Sequence, residues 1–122
     1  MKNLFTTINI TPSTIKINHK QNILMIGSCF VEEIGKKFGT MGFSTLINPF
    51  GILYNPLSIA ECLKRIAKKE FFETKDLIYN NEYYYLFATH GDYRHKEKEN
   101  LLSIINNEIE EAHSFLAKTD HI

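Results

Sequence analysis

The sequence lacks a net charge. Lys and Arg together number 14, Asp and Glu 14, and the formal charge is +0. A chain so balanced offers no summed attraction to nucleic acid or to an anionic membrane surface. Its mixed run Arg94-His-Lys-Glu-Lys-Glu-Asn100 alternates in sign and reads as a solvated face, not a stripe that tracks phosphates. Long apolar runs are missing too. None approaches the roughly 20 residues of a membrane span, and Met1 to Ile10 hold no uninterrupted apolar core of the kind a secretory leader needs. Cysteine is scarce: Cys29 and Cys62 show no pairing pattern, which excludes a zinc-type cluster and suits a reducing compartment. The expected location is therefore cytoplasmic. No set of potential ligands has metal spacing on one face, so neither a metal nor another cofactor is expected. Internal repeats and low-complexity tracts are absent as well.

What is present is an ordinary globular composition, 43% hydrophobic and 23% charged over 122 residues, enough for one modest domain. Leu4 to Ile10 reads as an extended arm closed by Thr11-Pro12, and the alternating Thr14 to Asn18 as a small edge strand. Ile23 to Ile26 is continuously apolar and too short for a helix, the signature of a strand covered on both faces. From Phe30 the period changes. Phe30, Ile34 and Phe38 fall on one helical face, and Gly39 supplies a stop. Phe43 to Ile47 gives a second strand. Asn55-Pro56 then opens a second helix, with asparagine as N-cap and proline in the first turn. Its expected buried stripe is Leu57, Ala60, Leu63 and Ala67, widened by Ile59, Cys62 and Ile66. Leu77 to Tyr79 and Glu82 to Phe87 flank Asn80-Asn81 as a hairpin. Residues 96–117 repeat Leu101, Ile105, Ile109, Ala112 and Leu116 at helical spacing. Strand and helix alternate, then a hairpin and helix follow. The class is α/β, with parallel core strands.

The chemistry concentrates where the first strand ends, in Gly27-Ser28-Cys29. Serine immediately before a helix is a favoured cap, and that reading needs no function. Against it, the turn lies at the carboxyl end of a buried strand, where ligand sites gather in open α/β sheets. Gly27 permits a bend sharp enough to expose Ser28, as in other strand-turn-helix nucleophile elbows. The amides of Ser28 and Cys29 would then sit at a helix N-terminus, suited to a developing oxyanion. Cys29 is a rival nucleophile or a small buried hydrophobe. Asn48-Pro-Phe-Gly-Ile-Leu-Tyr-Asn-Pro56 is the second unusual stretch. Its prolines fix a rigid crossover, yet Gly51 demands a positive φ or a close approach. His90, in the polar turn Ala88-Thr-His-Gly-Asp92, is placed to face a cleft. Tyr83-Tyr-Tyr85 fits cross-strand packing better than a stacking platform. Asp120 and His121, adjacent on an extended segment, point to opposite sides and cannot act as a carboxylate–imidazole pair.

Gly27-Ser-Cys-Phe30 after an apolar strand, followed by Asn48 to Pro56, resembles the GSCFA domain family, grouped with SGNH/GDSL-type hydrolases. Val31 stands where the family's name has alanine. Phe87-Ala-Thr-His-Gly91 is similar to a histidine-containing segment of the same family. The resemblance implies a three-layer α/β/α fold and a serine esterase mechanism on an acyl, often acetyl, ester. Ser28 matches the attacking serine. Cys29, Asn48, Gly51 and His90 are expected to line the site or hold the oxyanion, with Gly51 as the candidate oxyanion glycine. In such enzymes the base histidine comes from a late segment without a counterpart here. Residues 1–122 are thus expected to be the amino-terminal part of a single GSCFA domain, truncated at Asp120-His-Ile122, weak or inactive alone and prone to self-association. The expected substrate is a small-molecule or glycan-linked acyl ester. Two other readings stand: a non-catalytic interaction or glycan-binding module in which Ser28 only caps a helix, and a Cys29-dependent acyl transferase.

Overall fold

Ile23 and Leu24, 5% and 0% exposed, lie at the heart of the first strand, β1 (Asn22–Met25), in a computed structural model that describes residues 6–122. The expected arm begins outside the described residues, and its remainder, residues 6–10, is exposed and irregular. Residues 14–18 form no strand and are exposed as well. Alternation over so few residues leaves such a segment without a partner ladder.

The first helix, α1 (Cys29–Thr40), crosses over to β2 (Ser44–Ile47), which pairs parallel with β1 from Asn22↔Ser44 to Met25↔Ile47. α1 approaches β2 closely at Gly35, where an added Cβ would come within 2.7 Å of Ile47. That contact centres the covered face of α1 on Gly35, with Ile34 and Phe38 half-buried, and leaves Phe30 71% exposed instead of in the expected stripe. The helix also runs through Gly39. The turn after it belongs to Gly42 at φ +86°, the left-handed region that glycine occupies without penalty.

The second helix, α2 (Pro56–Lys68), starts as expected: the Asn55 side chain accepts from the Leu57 amide at 2.8 Å, and Pro56 opens the first turn. Its buried stripe differs from the expected one. Cys62 and Ile66 are fully buried and Ile59 packs beside them, whereas Leu57 is 79% exposed and Ala60 and Ala67 face outward. Apolar residues occupy more than one face of α2, and periodicity alone does not say which face finds a neighbour. Here that neighbour is the third helix, α3 (Lys98–Leu116), which buries Leu101, Ile105, Ile109 and Ala112 on the expected stripe. Phe50, Leu53, Phe72 and Leu86 complete this core. The Arg65 guanidinium lies 4.2 Å over the Phe72 ring, and Asn106 bonds both backbone groups of Phe72.

The hairpin is β3 (Leu77–Asn80) against β4 (Tyr83–Leu86). Its two loop residues are Asn81 and Glu82, at φ +47° and +66°, one position later than Asn80-Asn81. Positive φ at both loop positions matches the twist of the flanking strands. A short β5 (Arg94–His95), not expected from the sequence, pairs with β4 and completes a three-stranded antiparallel sheet. Leu86 and Tyr84 pack inward, while Tyr83 lies under Arg94 and Lys96. The architecture is mixed α/β, a parallel pair plus an antiparallel sheet. His121 makes a parallel bridge to Ile23, and Leu24 donates to the His121 carbonyl at 3.0 Å. Among the described residues no helix is long and apolar enough to cross a membrane.

Candidate active site

β1 leads through Ile26 into Gly27, which is buried with Val31 of α1 folded over it; an added Cβ would sit 2.8 Å from Val31 Cγ2. Ser28 follows in extended backbone, φ −72° and ψ 179°, and stands at the N-cap position of α1. It does not act as a cap. Its side chain accepts no bond from the helix amides, and among the described residues no group hydrogen-bonds to its hydroxyl. The first intrahelical bond runs from the Glu32 amide to the Ser28 carbonyl at 3.1 Å, so the amides of Cys29, Phe30 and Val31 precede the helical ladder. Ser28 is half-buried, and Cys29 is exposed at the first position of α1. The Cys29 thiol lies beside the Tyr54 hydroxyl and raises the pKa of that phenol.

The second motif wraps around this turn. Gly27 N–H donates to Asn48 Oδ1 at 2.8 Å, and the Gly27 carbonyl accepts from the Leu53 amide at 2.9 Å. Both polar backbone groups of Gly27 are therefore held by residues 48–53. Asn48 itself is 7% exposed and sits at φ +45°, a conformation asparagine tolerates better than most side chains. Its amide extends the parallel ladder by donating to the Met25 carbonyl at 2.8 Å. The next carbonyls are spoken for in turn. Asn48 O accepts from Gly51 N–H at 2.8 Å, Pro49 O from the Tyr93 hydroxyl at 3.1 Å, and Phe50 O from His90 N–H at 2.9 Å.

Gly51 has φ +78°, and an added Cβ would fall 2.5 Å from His90 Cβ. Gly51 thus shows both expected features, its own positive φ and a close approach, the latter from the histidine turn. Its N–H, however, is committed to Asn48, so the amide assigned to the oxyanion is not free. His90 is half-buried, with Nδ1 3.0 Å from Asp92 Oδ2.

Two residues here escaped the sequence. Glu32, one helical turn beyond Ser28, is half-buried. The Lys36 ammonium at 2.8 Å holds its carboxyl below the usual range, opposed by partial burial, while the Asn48 amide and His90 act in the same direction as Lys36. Its position at Ser28 plus four was the available signal. Tyr93 fixes Pro49, and burial pushes its phenol up to about 12, with Glu108 and Cys62 adding to the effect, so it donates as a neutral hydroxyl. Nothing in its neighbours in sequence announces that contact.

The residues expected at the site are thus gathered by hydrogen bonds and packing around Gly27 and residues 48–51. The larger surface depressions, about 560 Å³ beside α3 and about 410 Å³ beside the hairpin, are lined by other residues. A groove of about 280 Å³ includes Ile26 and Val31, which flank the turn. Among the described residues no group of three or more His, Cys, Asp or Glu is placed to hold a metal ion.

Fold and site define a mixed α/β chain whose serine occupies a strand-turn-helix elbow clasped by a second, asparagine-led loop. The model of the GSCFA family matches residues 22–122, and the chain belongs to that family. No curated protein matches it, and no solved structure does.

Proposed function

We propose that this chain carries the nucleophile of a serine ester hydrolase acting on acyl esters, acetyl esters among them, in small molecules or on glycans. Ser28 Oγ attacks the carbonyl carbon and its proton passes to a base. The carbonyl oxygen, now negative, is met by the free amides at the start of α1. Collapse breaks the ester bond, the leaving oxygen takes the proton back from the base and departs as the alcohol, and water then hydrolyses the acyl-serine to the carboxylic acid and free Ser28. The observation that supports this reading is that Ser28 stands where a cap belongs and makes no cap bond. The contrast is Asn55, which occupies the same position on α2 and does cap. Among the described residues no histidine nitrogen bonds to Ser28 Oγ, so turnover is expected to be slow and trapping of the acyl group is the sharper test. After incubation with p-nitrophenyl acetate, peptide mass spectrometry should find acetyl on Ser28 and none at that position in Ser28→Ala. Acetyl on lysines or on Cys29 with none on Ser28 overturns the reading.

A non-catalytic glycan-binding role draws support from a different place, the depression beside the hairpin lined by Tyr85, Phe87, Asn80 and Thr89. It gains if Ser28 stays unmodified while soluble oligosaccharide shifts the backbone resonances of those residues.

A further inference from the structure

Asn48 is the residue through which the second motif holds the first. Three bonds leave it for three different segments: its N–H to Met25 O on β1, its Oδ1 to Gly27 N–H in the turn, and its own carbonyl to Gly51 N–H. The bond to Gly27 spans 21 positions of sequence and is buried. Ser28 is the next residue along the chain, and it leaves the turn from a Gly27 whose N–H and C=O are both held. The remaining polar atom, Asn48 Nδ2, is sealed from solvent and among the described residues has no partner in good hydrogen-bond geometry; the charge it acts on is the Glu32 carboxylate, which it helps to hold ionised. A donor so enclosed does not reach an oxygen arriving from outside, which argues against an oxyanion role for this side chain.

We infer that Asn48 is a positioning residue, a clamp on Gly27 that sets the direction in which Ser28 presents its hydroxyl, rather than a donor to the reacting atoms. The inference rests on the serine reading for its catalytic consequence, but the clamp itself can be read without any reaction. Gly27 N–H is neutral, buried and bonded to a single side chain. Removing that acceptor leaves the N–H unsatisfied or opens the turn to water.

The experiment uses the full chain and three variants. Asn48→Gly removes the side chain without adding left-handed strain; Asn48→Ala removes it at the cost of strain; Asn48→Asp, made together with Glu32→Gln so that two carboxylates do not face each other, keeps an acceptor oxygen and discards the amide donor. Hydrogen exchange at Gly27 N–H, read by nuclear magnetic resonance, is expected to speed up by about tenfold or more in the glycine and alanine variants and to remain near wild type in the aspartate variant. Acetylation of Ser28 by p-nitrophenyl acetate should slow by about tenfold or more in the first two, with the loss in the rate constant at saturation rather than in apparent affinity, and recover in Asn48→Asp. Unchanged Gly27 exchange in Asn48→Gly removes the clamp. Fast exchange with undiminished Ser28 acetylation removes its positioning role. Slow acetylation in Asn48→Asp with wild-type exchange assigns the function to Nδ2 and overturns the inference. If Ser28 of the wild type takes no acetyl, the hydrolase reading falls, and the exchange data still decide the clamp.

Discussion

Gly51 and His90 touch so closely that a methyl group placed on the glycine would lie 2.5 Å from the histidine's Cβ. The same pair is tied one residue away, where His90 N–H donates to Phe50 O at 2.9 Å. Two constraints therefore coincide at Gly51, since its φ of +78° lies where other side chains are strained. Gly51→Ala is expected to cost at least about 2 kcal/mol, from left-handed backbone and overpacking together. Gly91→Ala is the matched control, because among the described residues nothing lies within 4 Å of its added Cβ, and its effect should stay within about 0.5 kcal/mol. Urea titration of both variants checks the contrast.

The helix starts give a second contrast. Asn55 accepts from the Leu57 amide and Ser28 accepts from nothing at its helix. Asn55→Ala should therefore lose about 1 kcal/mol. Ser28→Ala should lose less than about 0.5 kcal/mol, since no bond is broken. Equal losses would mean that serine caps α1 in solution.

Stability at high pH follows from a buried thiol and a half-buried phenol. Burial raises the Cys62 thiol from 9.0 to about 12, and burial, ahead of Glu108 and Cys62, raises the Tyr93 phenol from 10.0 to about 12. Both folded-state values are raised, so over this range the folded chain keeps protons that the unfolded chain has lost. The contribution is intact below the unfolded values and declines as pH climbs from 9.0 toward 12. For one group the slope reaches about 1.4 kcal/mol per pH unit. Urea midpoints at about pH 8 and about pH 10.5 should fall accordingly, and Cys62→Ala should flatten the drop.

Ile105 of α3 is fully buried in the hydrophobic core. Ile105→Ala should cost about 3 kcal/mol by lost burial and residual cavity, measurable in the same titration. Phe30→Ala, at a side chain 71% exposed, should be near neutral despite its place in the apolar spacing of α1.

What the sequence disclosed was whatever local chemistry decides. Asn55-Pro56 starts a helix by its own hydrogen bond and ring geometry, and the Leu101–Ala112 stripe is long enough for its period to name the covered face. The elbow was legible because apolar strand, glycine and helix follow one another without interruption. The face of α2 was not, since which of its apolar sides is covered depends on α3, far along the chain. β5 has only Arg94 and His95 and exists because β4 offers an edge. Where the Gly51 amide bonds was hidden for a similar reason: the carbonyl that takes it belongs to Asn48, within a turn whose closure the residue types do not reveal. Tyr93 on Pro49 bridges 44 positions and leaves no trace in either neighbourhood.

The central claim is that the Ser28 hydroxyl is held for reaction and not for the helix. Its most direct measurement pairs the release of p-nitrophenolate from p-nitrophenyl acetate with the melting temperature, in wild type and in Ser28→Ala. The account predicts a slow wild-type rate above buffer that falls to the buffer rate in the variant, with the melting temperature unchanged. A variant that keeps the wild-type rate, or that melts well below wild type while losing no activity, would contradict it.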